Sequence, residues 1–332
     1  MVTPSPAKRP RIDFEDDHAN PPPPTSGNGP VSIYQRGNHW FEDGNVVLVT
    51  ENTAFRVYQG ILSKNSDVFR DMFTIPQPAD AEKMEGCPVV HLTDTKADFG
   101  RLLTILFDVG NWYPTPRRKL PFELVSTMLR LGTKYQVEYL RQDAIHLLQQ
   151  IFPTQLDLLW GASIATLEPF NQKKAETYEV DSDAVEMVLV DAIATVNIAR
   201  TFDIKTILPP ALYVCMQLDK SLIMRGFLDK SGVLHKLHPE DQLSLWKAEA
   251  TLREHHASQI GFVVQPERHR GSYYGLVHRC TDVLSESEWI YSIDLCANCY
   301  AHFDEDYTAK RQKVWDGLAK IFEVDGLQWP SD

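Results

Sequence analysis

The stretch that most constrains this chain runs from Asn45 to Val57 and reads NVVLVTENTAFRV. Side chains alternate along an extended backbone, so Val46 and Leu48 face one way and Val47 and Val49 the other. Phe55 and Val57 continue on a return strand past Glu51-Asn52, which predicts a hairpin buried on at least one face. Ile61 and Leu62 form an apolar step. Ser66 then suits a helix N-cap, because its hydroxyl oxygen can take an early orphan N–H, and Asp67 complements the helix dipole. Val68, Phe69, Met72 and Phe73 supply that helix's apolar side, and Pro76 and Pro78 stop it. The stretch carries caps and alternation rather than a nucleophile, an acid–base pair or a phosphate-cradling glycine loop.

A further apolar strand is expected at Val89-Val90-His91-Leu92, after an acidic loop. Three helical repeats follow: Phe99 to Phe107, Phe122 to Leu129 behind Pro121, and Leu140 to Ile151 before Pro153. The sum over residues 38–153 is an α+β domain, a sheet of two or three strands wrapped by helices.

Residues 1–37 contain Pro21 to Pro24 in a row and little to bury, which reads as a disordered arm. Inside it, Lys8, Arg9 and Arg11 form a basic cluster among prolines, a pattern that a nuclear import receptor can read. That favours the nucleus over the cytoplasm. The chain of 332 residues has a net charge of −12, which opposes direct binding to a phosphate backbone. It has no apolar run of the roughly 18–20 residues that a membrane span needs. Five cysteines in such a length do not describe a disulfide framework.

Two blocks of the front third together resemble the BTB/POZ domain, a protein-interaction module. One is the hairpin with its acidic-Gly tip, Ile61-Leu62-Ser63 and Ser66-x-Val68-Phe69-x-x-Met72-Phe73. The other is Met128-Leu129-Arg130-Leu131-Gly132-Thr133-Lys134-Tyr135-Gln136-Val137 with Leu140. The resemblance implies self-association or partner binding without catalysis, with Asn45, Val46, Phe55, Tyr58, Leu62, Ser66, Phe69, Met72, Phe73 and Tyr135 as signature positions. The family usually has Asp where this chain has Asn45, and His where it has Tyr58. In many relatives those positions lie near a homodimer interface. Relatives that recruit a cullin-type ubiquitin ligase scaffold often carry an apolar-x-Glu triplet after the Met-Phe helix. Ile75-Pro76-Gln77 stands there instead, and a substrate-recruiting adaptor of such a ligase is kept as an alternative.

Residues 154–332 are expected to be mainly helical. Val185, Val188, Leu189, Ala192, Val196, Ala199 and Phe202 recur at helical spacing, Pro209-Pro210 starts another run, and helices are expected at 218–230, 239–256 and 305–322. The segments Ile198-Ala199-Arg200 to Tyr213, His238-Pro239-Glu240-Asp241, and Lys313 to Phe322 resemble the C-terminal half of BTB proteins expanded in mushroom-forming fungi. Within the segment 278–302, Cys280, Cys296 and Cys299 with His302 or His278 could hold a structural zinc. The weighed alternatives are buried free cysteines, and a zinc-dependent activity at the same cluster. Otherwise no cofactor is expected.

Overall fold

The computed structural model describes residues 33–76, 78, 80–108, 118–159, 172–180, 182–230, 232–260 and 297–329, the side chains of 172, 259–260, 297–300 and 302 excepted. The described chain is a mixed α+β structure. Its front part begins with β1 (Gln35–Trp40), β2 (Val46–Thr50) and β3 (Thr53–Val57), followed by α1 (Gln59–Asn65) and α2 (Asp67–Thr74). Next come β4 (Lys83–Met84), β5 (Cys87–Leu92), α3 (Lys96–Phe107), β6 (Leu120–Pro121), α4 (Phe122–Lys134) and α5 (Glu138–Ile151).

The expected hairpin is there. Strands β2 and β3 pair antiparallel from Val46–Val57 to Thr50–Thr53, and β2 also pairs parallel with β5. The sheet has five strands in the order β1-β3-β2-β5-β4, rather than two or three. The two additional strands are edges. β1, QRGNHW, is polar with a shift in register between Arg36 and Trp40, so no alternation announces it. It also takes Gln35–Gly37 from the stretch read as an arm; residues 1–32 lie outside the described residues. Gly37 is required there, because a Cβ would sit 2.3 Å from the Phe55 ring. β4 is only two residues long.

Both sheet faces are covered. Val46, Leu48, Phe55 and Val57 enter the main core against Phe69, Phe99 and Leu102. Val47 and Val49 turn to the other face and form a small second cluster with Ala54, Cys87 and Val89. Tyr34, Trp40 and Met84 pack on that cluster. A polar rim closes it: Arg36 and Arg56 both reach Glu85, while the Tyr34 hydroxyl donates to Glu82, which also holds His91.

The back part continues with α6 (Gln172–Thr177), β7 (Val185–Glu186), α7 (Ala192–Thr201), α8 (Leu208–Met216) and α9 (Lys220–Arg225). It ends with β8 (Phe227–Leu228), β9 (Leu234–His235), α10 (Pro239–Ile260), α11 (Ala297–Asp316) and α12 (Leu318–Ile321). Pro209-Pro210 opens α8, as the break in periodicity predicts. The helix expected from Val185 starts only at Ala192. Val185–Glu186 instead pair parallel with β6, because a strand of two residues is too short for its period to be separated from that of a helix. The helix expected at 218–230 stops at Arg225. Gly226 follows at φ +79, where a Cβ would lie 2.1 Å from the His235 carbonyl oxygen, and the chain turns into the β8–β9 hairpin. The expected helix at 305–322 is two helices broken at Gly317.

One continuous core cluster runs from Val46 to Val324 and joins the two parts. The β6–β7 pairing crosses between them and the Gln149 amide donates to Thr206; within the back part, the Trp315 indole N–H donates to the Thr154 carbonyl at 2.9 Å.

Helices α3 and α4 are tied by one buried carboxylate. Arg130 donates to both oxygens of Asp98 at 2.9 and 3.0 Å, the Thr127 hydroxyl donates at 2.9 Å, and Arg101 adds a fourth contact at 3.1 Å. Burial pushes the Asp98 pKa up, but the Arg130 hydrogen bonds and charge outweigh it and hold the carboxyl below its ordinary value. The contribution is therefore complete above the unfolded value of about 3.9 and is lost as pH falls through the depressed folded value. Removing one partner of a fully buried pair costs about 3–5 kcal/mol, and because Arg130 is partly solvated, Asp98→Ala is expected to cost about 2–3 kcal/mol in urea denaturation at neutral pH. The difference between variant and parent should shrink on acidification below pH about 4.

Candidate functional site

The two signature blocks, some sixty residues apart in sequence, meet at Ser66, Phe69 and Tyr135. Ser66 caps α2: its oxygen accepts from the Phe69 N–H at 3.1 Å, while its hydroxyl donates to the Tyr135 carbonyl at 2.5 Å. The Phe69 ring stacks on Tyr135 with centroids 4.4 Å apart and planes 14° apart, and Phe73 stacks on Phe69 in turn. The Tyr135 hydroxyl donates to Asp94, whose other oxygen takes Lys134 at 2.7 Å. Burial, then the Asp94 hydrogen bond and charge, raise the phenol pKa far above its ordinary value, so Tyr135 stays a neutral donor.

The local sequence places that tyrosine. Gly132 lies in the last turn of α4 against the first turn of α5, and a Cβ there would lie 3.1 Å from the Arg141 nitrogen. Gln136 takes a left-handed φ of 51, and the Val137 N–H returns to the Gly132 carbonyl at 2.8 Å, which ends α4 and turns Tyr135 back onto α2.

Of the ten signature positions, Val46, Phe55, Leu62, Ser66, Phe69 and Tyr135 are thus buried. They shape a platform rather than touch a partner. Asn45 is exposed, and its side-chain oxygen accepts from the Gln59 N–H at 2.8 Å, satisfying the first turn of α1. Tyr58 is half-buried, packs on Phe41 at 5.0 Å and donates to Asp43 at 2.5 Å; that hydrogen bond raises its pKa. Met72 and Phe73 are half-buried at the end of α2, and Ile75 beyond them is 62% exposed. Pro76 and Pro78 are exposed as well. The surface left by the signature is an apolar rim at Met72, Phe73 and Ile75.

In the back part, the three segments singled out by the second resemblance converge on a cleft of about 450 Å³ lined by Arg200, His238, Asp241, Ser244, Phe322 and Glu323 among others. Arg200 donates to one oxygen of buried Asp241 at 2.6 and 3.0 Å, and the Ser244 hydroxyl donates to the Phe322 carbonyl at 2.7 Å. These polar groups bind one another, and Ser244 faces a carbonyl rather than a base.

Cys280, Cys296 and His278 lie outside the described residues. Cys299 and His302 fall in α11 with their side chains outside the description, and Lys8, Arg9 and Arg11 also lie outside. Among the described residues, no group of three or more His, Cys, Asp or Glu could hold a metal ion, and no helix is long and apolar enough to cross a membrane. Cys87 and Cys215 are free and buried, and burial pushes the Cys215 thiol up.

Sequence reasoning missed the Asp98–Arg130 pair and the role of Asp94. The signal was Arg130 itself, a charge inside the apolar run Met128 to Leu131, where only a buried partner justifies it. No protein-family model matches the chain, and no curated protein sequence matches it.

Replacing Ser66 with alanine removes a cap worth about 1 kcal/mol and orphans a buried carbonyl at a cost of about 1–3 kcal/mol. Ser66→Ala is therefore expected to lower stability by about 2–3 kcal/mol, and Tyr135→Phe by about 1 kcal/mol because Lys134 still holds Asp94. Chemical denaturation monitored by circular dichroism checks both, and the order of the two effects is the discriminating result.

Proposed function

We propose that this chain is a protein-interaction module of the BTB/POZ type, acting as an adaptor or scaffold through self-association or partner binding, without catalysis. The observation that carries this reading is the apolar rim of half-buried Met72 and Phe73 with exposed Ile75, which follows the Ser66–Phe69–Tyr135 anchor on α2. Apolar side chains on a preorganised edge supply affinity at low ordering cost, and charged neighbours such as Asp67, Arg70 and Asp71 supply selectivity. The back part packs on α4 and α5, and Ile75 is 62% exposed.

Asn45 and Tyr58 support partner binding over the family's usual homodimer. Each stands in place of the expected charged residue, and each is engaged within the chain. The basic cluster at Lys8, Arg9 and Arg11 supports a nuclear location. The net charge of −12 supports protein rather than nucleic-acid partners. The ubiquitin-ligase adaptor remains the second reading, because Ile75 is an exposed apolar residue in the position where the triplet of such adaptors begins.

Ile75→Asp leaves the core untouched and places a charge at the rim. The parent chain should self-associate at high micromolar concentration in sedimentation, or capture a partner on co-purification from its native cell. The variant should lose that association with unchanged thermal stability. A monomeric parent that captures nothing, or a variant that binds as the parent does, overturns the proposal. Retention of a cullin N-terminal region by the parent alone selects the adaptor reading.

A further inference from the structure

Three aromatic rings meet where three elements of the front part end. Phe41 follows β1, Tyr58 precedes α1 and Phe107 is the last residue of α3. Their centroids lie 5.0, 5.3 and 6.3 Å apart, with planes tilted by 37°, 30° and 32°. All three separations are short, so the rings close a triangle rather than stack in a column. Each ring is only half-buried. Accessible aromatic faces carry negative charge density and attract cations.

Carboxylates border the triangle. Glu42 and Asp43 follow Phe41, Asp108 follows Phe107, and all three are exposed. Asp43 accepts from the Tyr58 hydroxyl at 2.5 Å, and Asp108 stands 3.8 Å from the His39 imidazole. The stretches that hold these rings and acids, 37–55, 57–63 and 102–116, contain no lysine or arginine. The described basic residues at their borders are turned elsewhere: Arg36 and Arg56 to Glu85, Arg101 to Asp98, and Lys64 to the far end of α1. His39 is 8% exposed, and burial lowers its pKa more than Asp108 raises it, so it adds no charge at neutral pH. Its ring lies 6.4 Å from Phe107, and its Nδ1 has no partner, which leaves a buried polar atom unspent beside the triangle.

We propose that this surface docks an arginine side chain of a partner protein, with the guanidinium laid on the Phe41–Tyr58–Phe107 rings and the carboxylates of Asp43 and Asp108 at its edge. Arginine suits both features. Its planar cation stacks on ring faces, and its fork of donors meets a carboxylate with two parallel hydrogen bonds. The surrounding acids draw a basic segment toward the rings, an attraction that salt screens. The inference rests on the partner-binding reading above and gives that partner a chemistry. It shares no residue with the rim at Met72, Phe73 and Ile75, so Ile75→Asp reports on the rim alone.

Calorimetric titration of the full chain with a capped Gly-Arg-Gly-Arg-Gly peptide tests this. The parent should bind the peptide, and raised salt should weaken it. Asp43→Asn/Asp108→Asn and Phe41→Leu should each weaken binding about tenfold. Asp183→Asn/Glu186→Gln removes the same charge from an exposed part of the back half and should leave binding unchanged. Thermal unfolding of each variant separates lost binding from lost fold. Equal weakening by the two acid-to-amide pairs overturns the proposal, since net charge alone then explains binding. So does an unaffected Phe41→Leu, or a lysine counterpart of the peptide that binds as tightly. Absence of binding to the parent overturns it too, even where replacing Lys8, Arg9 and Arg11 restores binding, because the chain's own arm then fills the site.

Discussion

A phenol and a serine hydroxyl have been taken out of water in this protein, and the placement of everything around them follows from finding them partners. Ser66 and Tyr135 share one hydrogen bond, the Tyr135 hydroxyl must find Asp94, and Phe69 fills the space between α2 and the α4–α5 turn. A buried polar group left without a partner costs about 1–3 kcal/mol, a large fraction of a domain's net stability of about 5–15 kcal/mol. The anchor therefore fixes the direction of α2 relative to the sheet. What α2 presents at its far end, the rim at Ile75, is a consequence of that direction.

The legible parts of the sequence were those where local chemistry marks the element, by alternation, a cap, helical spacing or a proline. The β2–β3 hairpin, the Ser66 cap, the apolar faces of α3 to α5 and the Pro209-Pro210 start all read directly, because local pattern and tertiary role agree there. The parts that misled share a different trait. Val185–Glu186 pair with β6 over only two residues, one buried and one exposed, which is too short a strand for its period to be detected. β1 is an edge strand of polar residues whose partner supplies the hydrogen bonds, so its own sequence need not look like a strand. Gly226 marked the end of α9, but only the close approach of His235 makes it a hairpin entrance.

The candidate site was legible in a partial sense. The signature residues were identifiable by number but their roles were not: six of the ten are core, and their chemistry serves packing and capping. The accessible surface is left to the half-buried and exposed remainder, Asn45, Tyr58, Met72 and Phe73. That division is physically reasonable, since residues that hold a backbone in place must be invariant in shape, whereas those that greet a partner must suit the partner.

The ladder of two residue pairs between β6 and β7 carries a consequence for how this architecture could be reused. Leu120 gives its N–H to Ala184, and Gln149 reaches across to Thr206, so the front platform finishes its own edge with backbone borrowed from the rear. A cassette cut at Pro153 would carry a raw seam of apolar side chains and unmet amides. The two halves are therefore joined as lock and frame are, and a lineage that wished to shuffle the platform elsewhere would first have to re-tailor that seam.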